Sequence, residues 1–178
     1  MHVQLRVIDE PLLASLLAVA VRDADPEEVM APKPGRPGWT ERRREAFAAY
    51  YRRCRPRAGV SLADTTYGVM ADGVVVGAAR LAVDVAPHTF EVGLWLGRSS
   101  RGRGIGTAVV PLAAKRARDL GARRLVARTT TANRAAVRAL AAHGFRATDD
   151  DAGGVEAVLD LARPVSDGEL PCRAGRRP

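Results

Sequence analysis

A short glycine- and arginine-rich segment near the middle of the chain separates a stretch of alternating hydrophobic residues from a helical one. Residues 98–107 read RSSRGRGIGT, with glycine at every second position from 102 to 106. Glycine lets a backbone approach a ligand without a Cβ in the way. A helix beginning here would present unbonded N–H groups and a partial positive charge. The segment therefore predicts a pyrophosphate-binding strand–loop–helix unit, to which Arg101 and Arg103 would add charge.

Two common phosphate-binding motifs do not fit this segment. The dinucleotide fingerprint G-x-G-x-x-G differs in spacing, because the loop reads G-x-G-x-G, and no acidic residue ends the following strand. A P-loop needs a lysine after its last glycine, and none follows here. A flexible surface turn that binds no ligand is the alternative interpretation.

The rest of the chain alternates between strand and helix patterns. Hydrophobic alternation and β-branched residues predict strands at 3–7, 67–70, 74–83, 90–96, 125–130, 145–148 and 155–161. Helical patterns predict helices at 12–21, 41–55, 105–120 and 133–143. The proline- and glycine-rich residues 23–38 predict a long loop. The predicted fold class is α/β, one domain at 1–163 with a mixed sheet flanked by helices, followed by a mobile tail at 164–178.

Composition limits the classes of function. Apolar runs fall far short of the ~20 residues that a membrane span needs, and residues 1–9 lack a signal-peptide pattern. We therefore expect a cytoplasmic protein without a membrane partner. Two cysteines and three histidines are scattered, so we expect no metal site. The net charge of +8 comes almost wholly from arginine; we favour codon bias as its cause, with attraction for RNA as the alternative.

Three motifs in the right order make residues 67–161 resemble the GNAT superfamily of N-acetyltransferases. Residues 101–106 (RGRGIG) match its R/Q-x-x-G-x-G/A motif, and residues 90–96 (FEVGLWL) resemble its central strand. Residues 133–145 (NRAAVRALAAHGF) are similar to its N-x-x-A…G-F helix, whereas residues 1–65 fit only the order of elements. The resemblance implies a single-domain, acetyl-CoA-dependent N-acetyltransferase whose central strands splay apart.

The resemblance also implies where the co-substrate acetyl-CoA would bind. Its pantetheine arm would lie between the splayed strands and bond the backbone of Leu94 and Leu96, with Trp95 between them. A backbone N–H there would stabilise negative charge on the thioester oxygen. Asn133 would bond the pantetheine arm or a nearby water, cap its helix, or do both. The pyrophosphate would be held by the loop residues Arg101, Gly102, Arg103, Gly104, Ile105, Gly106 and Thr107.

Glu91 is the predicted catalytic residue. An amine with a pKa near ~10 is protonated at neutral pH and must lose a proton to a base before it attacks a thioester. Family members with a catalytic glutamate often carry it on the central strand, where Glu91 stands; a carboxylate that binds substrate or pairs with an arginine is the alternative. The family's general-acid tyrosine is replaced by Leu140. With leucine at this position, the sequence resembles the branch of ribosomal-protein N-terminal acetyltransferases and related drug-modifying enzymes.

The acceptor is the least constrained part of the prediction. Acidic and aromatic residues between positions 23 and 57 suit a small-molecule amine, such as an aminoglycoside or a basic peptide antibiotic. Such a substrate would make the protein an antibiotic-resistance enzyme. A protein N-terminus or an aminoacyl-tRNA is the alternative acceptor, and a non-catalytic acyl-CoA-binding module is a third reading. Nucleic acid is the less favoured partner, and a homodimer is an assembly common among relatives.

Overall fold

The computed structural model describes residues 1–32, 35–56 and 64–162. Within them, seven strands form one sheet: β1 (Val3–Val7), β2 (Asp64–Ala71), β3 (Val74–Val83), β4 (Thr89–Leu96), β5 (Arg124–Thr130), β6 (Arg146–Asp149) and β7 (Gly154–Asp160). The α-helices are α1 (Glu10–Asp23), α2 (Pro26–Val29), α3 (Glu41–Arg53), α4 (Ile105–Asp119) and α5 (Arg134–Ala141).

The sheet has the strand order β1-β2-β3-β4-β5-β7-β6. Its neighbours pair antiparallel except β4 and β5, which are parallel. They are parallel because α4 carries the chain back from the end of β4 to the start of β5. Helices α1 and α3 cover one face and α4 and α5 cover the other. The predicted α/β fold class, a mixed sheet flanked by helices, is confirmed.

Two hydrophobic clusters hold the helices on the sheet. On the α4–α5 face, Val109 of α4 is buried with Leu125 of β5. On the α1–α3 face, Leu16 and Phe47 are buried. Because side chains alternate along a strand, β4 serves both clusters, and its Trp95 packs on the α1–α3 side. Every second residue of β4, counted from Trp95, therefore points to the α1–α3 face.

The structure differs from the sequence-based prediction in a few places. Residues 23–38 contain the short helix α2, which begins at Pro26 because the fixed φ of proline suits a first helical turn. Strand β2 begins at Asp64, earlier than predicted, because Asp64 already pairs with Ala82 of β3. The predicted tail at 164–178 lies outside the described residues.

Strands β4 and β5 diverge halfway along their length. They pair only over Thr89–Glu91 and Arg124–Val126, although β4 continues to Leu96 and β5 to Thr130. Each keeps its other neighbour, β3 or β7, to the end. The result is a wedge-shaped gap in the middle of the sheet that opens toward the carboxyl ends of both strands.

Candidate functional site

The glycine loop, residues 97–104, leads from the open end of the gap into α4. Gly102 and Gly104 have φ of +72° and +77°, and a Cβ added to either would meet nothing within 4 Å. Only glycine adopts this backbone conformation without strain. Gly104 is also the N-cap of α4, and no side chain among the described residues caps that helix. The N–H groups of its first turn are therefore available to an anion.

The residues predicted to bind pyrophosphate lie around this helix start. Gly106 is half-buried, and Ile105 is only 1% exposed because its side chain anchors the first turn of α4 in the core. Ile105 can therefore offer a ligand only its backbone. The remaining predicted loop residues are exposed: Arg101, Gly102, Arg103, Gly104 and Thr107.

Arg101 is engaged within the protein. Its Nε donates to the carbonyl of Leu96 at 3.0 Å, and its Nη2 donates to Glu28 of α2. Arg98 donates to Glu28 and Asp25. Hydrogen bonds from Arg101 and then Arg98 hold the pKa of Glu28 below its ordinary value. These ion pairs are solvent-exposed, so each contributes little to stability, and the arginines can exchange the carboxylates for another anion.

A second contact ties the end of α1 to the glycine loop. Asp23 accepts hydrogen bonds from the Ser99 hydroxyl and from its backbone N–H, the latter at 3.1 Å. The hydroxyl bond is the main cause that lowers the pKa of Asp23. A Cβ on Gly97 would stand 2.6 Å from Asp23 Oδ2, so glycine is required for this close approach.

The acidic residues before α3 were predicted to recognise a basic acceptor. Each already has a partner inside the protein. Asp25 and Glu28 bind arginines of the glycine loop, and Glu27 lies 3.4 Å from Arg43 of α3. Their charge therefore neutralises the protein's own arginines, which weakens the argument for an acceptor site in this segment.

The aromatic residues of α3 support the β4 strand from behind. Trp95 Nε1 donates to the Tyr51 hydroxyl at 2.8 Å, and Phe47 packs against both rings. Tyr51 is 3% exposed, and burial raises its pKa to about 12. The half-buried Trp95 side chain thus packs under α3, on the face of β4 opposite Leu94.

Leu94 marks the opposite face of β4. Its side chain is 40% exposed, and its Cδ2 lies 3.7 Å from the position that a Cβ on Gly106 would take. Leu94 therefore reaches over the start of α4, beside the gap. Leu96 is half-buried against the α4–α5 core, and its carbonyl already accepts the hydrogen bond from Arg101.

Glu91 belongs to the last residue pair before the gap, opposite Val126. It points to the α1–α3 face, the same face as Trp95. Its Oε2 accepts a hydrogen bond from Arg128 Nη1 at 2.6 Å. The same Nη1 donates to Asp84 Oδ2 at 2.8 Å, and Arg128 Nε donates to Glu156 Oε2 at 3.0 Å. We call these four residues the arginine cluster.

Three carboxylates share one guanidinium in the arginine cluster, so its formal charge is net negative. The hydrogen bond from Arg128 is the main cause that lowers the pKa of Asp84. The same bond raises the pKa of Arg128. The guanidinium therefore stays charged, and the cluster offers an excess of negative charge beside the gap.

Sequence reasoning identified Glu91 but missed Asp84, Arg128 and Glu156. Arg128 and Glu156 lie on β5 and β7, and Asp84 directly follows β3. The cluster therefore depends on strand order, which no local pattern encodes. The pairing of Glu91 with an arginine, the alternative considered for this residue, is present in the structure. The catalytic role of Glu91 stays a prediction.

Asn133 occupies the N-cap of α5, where its Oδ1 accepts a hydrogen bond from the Ala136 N–H at 3.2 Å. Its amide NH₂ can still donate to a ligand.

Across residues 1–32, 35–56 and 64–162, no helix is long and apolar enough to cross a membrane. In the same part of the chain, no group of three or more His, Cys, Asp or Glu residues could hold a metal ion.

Comparison with known proteins agrees with this geometry. Residues 27–145 match the model of the acetyltransferase (GNAT) family. A probable acetyltransferase of solved structure is similar at a TM-score of 0.68 and 19% identity, over 89% of this chain and 93% of that one. The N-acetyltransferase PseH of Campylobacter jejuni, solved with acetyl coenzyme A, is similar at a TM-score of 0.63 and 13% identity, over 89% and 99%.

A third similar structure is yncA, a putative acetyltransferase from Salmonella typhimurium solved with its cofactor acetyl-CoA. It has a TM-score of 0.61 and 19% identity, over 94% of this chain and 99% of that one. At such identities these likenesses show a shared fold. No curated protein matches the sequence at a significant level.

Proposed function

The chain belongs to the GNAT acetyltransferase family, and on that premise we propose that it transfers the acetyl group of acetyl-CoA to a primary amine of a small basic molecule. The observation that carries the proposal is the gap between β4 and β5, with the uncapped start of α4 at its open end. Such a gap offers strand-edge backbone groups to an extended ligand arm and N–H groups to its phosphates. Acetyl-CoA has both parts and would supply an activated acyl group as a thioester.

The residues present fit acetyl-CoA. The open space around Gly102 and Gly104 accommodates a pyrophosphate against the backbone. Arg101 and Arg103 are exposed on the same loop and can pair with its oxygens. The backbone of Leu94–Leu96 would hold the pantetheine arm, and the amide of Asn133 would donate to it or to a water.

Glu91 would act as the general base. Leu94 follows it by three residues, which corresponds to about 10 Å along a strand, so the proton would travel through a water rather than directly. The Glu91 side chain is 32% exposed, which leaves it accessible to such a water. A base in this role typically contributes at least about 100-fold to the rate.

The arginine cluster supports a cationic acceptor. Its excess of carboxylates over guanidinium lies beside the gap, on the face opposite α4, and would attract an ammonium group. This supports an aminoglycoside or a basic peptide antibiotic better than the acidic residues before α3, which are paired within the protein. Such an enzyme would act in the cytoplasm, where acetyl-CoA is available. The homodimer expected from the resemblance stays a prediction.

Thiol release from acetyl-CoA, measured over a panel of amines, tests the proposal. The panel would contain aminoglycosides, cyclic basic peptides, polyamines and peptides with free N-termini. We expect turnover with one class of small basic amine, reduced at least about 100-fold in Glu91→Gln with acetyl-CoA affinity unchanged. Acetyl-CoA binding without turnover of any small amine would contradict it and favour a macromolecular acceptor or a binding module.

A further inference from the structure

The contact between Glu91 and Arg128 crosses the gap where the pairing of β4 with β5 stops. Glu91 is opposite Val126 in the last parallel pair, and Arg128 follows Val126 by two residues on the same face of β5. The hydrogen bond between them, at 2.6 Å, therefore connects the two halves of the sheet at the closed end of the gap. It also occupies one oxygen of the predicted base.

Arg128 is held by partners other than Glu91. Glu156 of β7 is its direct cross-strand neighbour, bonded at 3.0 Å. Asp84, at the end of β3, is bonded to it at 2.8 Å and has a side chain only 7% exposed. Asp84 is itself oriented by a hydrogen bond from the Ala86 N–H at 3.3 Å. Asp84 and Glu156 thus hold the guanidinium from both halves of the sheet, independently of Glu91.

This arrangement constrains a side chain that would otherwise be mobile. A glutamate on a strand can rotate about three side-chain bonds, and an exposed pair with one arginine rarely restricts it much. Here the planar guanidinium has a fixed donor geometry and its own two anchors. Glu91 also lies within electrostatic reach of Arg80, which is bonded to Asp64 at 2.7 Å.

We propose that Arg128 is a positioning residue for acetyl transfer: it holds Glu91 Oε2 and so fixes the carboxylate beside the gap, leaving the other oxygen to accept the proton. This inference rests on the proposed function of Glu91 as base. In the step concerned, the amine loses a proton to that oxygen through water, and its nitrogen bonds to the acetyl carbon. The carbon–sulfur bond breaks and the sulfur leaves as a thiolate, while the nitrogen releases its second proton to water and becomes the amide nitrogen.

The test compares Arg128→Gln and Arg128→Lys with wild-type protein and with Arg124→Gln. Arg124 is an exposed arginine on the same strand and the same face, which makes it a matched control. With the amine found in the panel, we expect Arg128→Gln to lower kcat about tenfold or more, with KM for acetyl-CoA unchanged. Arg128→Lys should recover part of this loss, because lysine keeps the charge but not the planar fork.

Crystal structures of the wild type and of Arg128→Gln give a readout that needs no acceptor. We expect one position of the Glu91 carboxylate in the wild type and several in the variant. A single unchanged position in Arg128→Gln would overturn the proposal, as would a kcat no lower than that of Arg124→Gln. If Glu91→Gln keeps full turnover, the base assignment fails instead, and the crystal structures still decide whether Arg128 orders Glu91.

Discussion

The two ends of strand β4 carry charged residues that are organised in different ways. At its amino end, the arginine cluster joins side chains from β4, β5 and β7 with Asp84, which directly follows β3, and backbone pairing sets the positions of these strands. At its carboxyl end, Arg98 and Arg101 of the glycine loop reach Asp25 and Glu28, and these contacts join a loop to a four-residue helix. So short a helix has little stability of its own, so its placement depends on those ion pairs and on the packing of Val29 against the α1–α3 cluster.

This difference matches what each end would have to do. A general base works best when it is held in one geometry, because a small displacement costs rate. Donors for phosphate must instead be free to change partner when the ligand arrives. Exposed arginine–carboxylate pairs can do so at little cost in free energy. The arginines at the two ends are equally exposed, at 44% for Arg128 and 46% for Arg101. The comparison predicts a more rigid Glu91 end because Asp84, only 7% exposed, holds Arg128 there, and it predicts exchange at the Glu28 end.

The largest effect expected at the exchangeable end comes from Gly104→Val. A Cβ there forces a strained φ and intrudes on the predicted phosphate site, so acetyl-CoA affinity should fall about 100-fold, measured by calorimetry. Gly121 is the matched control, since it has φ of +87° and open space around it but ends α4 instead of starting it. Both variants should lose about 1–2 kcal/mol of stability. Equal affinity loss in Gly121→Val would contradict a local phosphate site.

A smaller and opposite effect is expected from Glu28→Gln. Removing this carboxylate frees Arg101 and Arg98 for phosphate, so acetyl-CoA should bind about two- to fivefold more tightly. The control is Glu27→Gln, because Glu27 pairs with Arg43 of α3 and not with the loop. Weaker binding in Glu28→Gln would mean that α2 supports the cofactor site instead of competing with it.

The smallest effect concerns pH. The folded-state pKa of Glu28 lies below its ordinary 4.5 because of hydrogen bonds from Arg101 and Arg98. A depressed pKa contributes stability that is fully present above the unfolded value and is lost as the pH falls through the folded one. The melting-temperature difference between wild type and Glu28→Gln should therefore shrink below about pH 4.5. A difference that stays constant down to pH 2 would contradict the role of this charge.

Glu10 offers an internal comparison for that measurement. Hydrogen bonds from Arg52 and then Arg55 lower its pKa to about 2. For the same reason, the stability that the Glu10 carboxylate contributes is complete above about pH 4.5 and disappears only as the pH approaches 2. The Glu10→Gln difference is therefore expected to persist into acid. If the melting-temperature differences of Glu28→Gln and Glu10→Gln from the wild type both disappeared near pH 5, general acid unfolding would be the cause instead.

Features that depend on neighbours in the chain were predictable. Thr40 caps α3 by accepting a hydrogen bond from the Arg43 N–H, three residues ahead, and threonine is among the residues favoured at this position. The Asp72-Gly73 turn joins β2 and β3 with positive φ at both residues, and Asp-Gly is a pair that favours such a hairpin turn. The prediction missed α2 because the many prolines and glycines of residues 23–38 indicate a loop, although Pro26 begins a helix there.

The sequence by itself determined the order of the strands and of the four longer helices, the glycine loop and its family, because these depend on the periodicity and spacing of nearby residues. Tertiary structure alone decided which charges meet. Arg101 reaches Glu28, 73 residues away, and Arg128 reaches Asp84, 44 residues away. Such contacts follow from the strand order and from where β4 and β5 part. A side chain's partner is therefore set by the global arrangement of the backbone, which no local pattern contains.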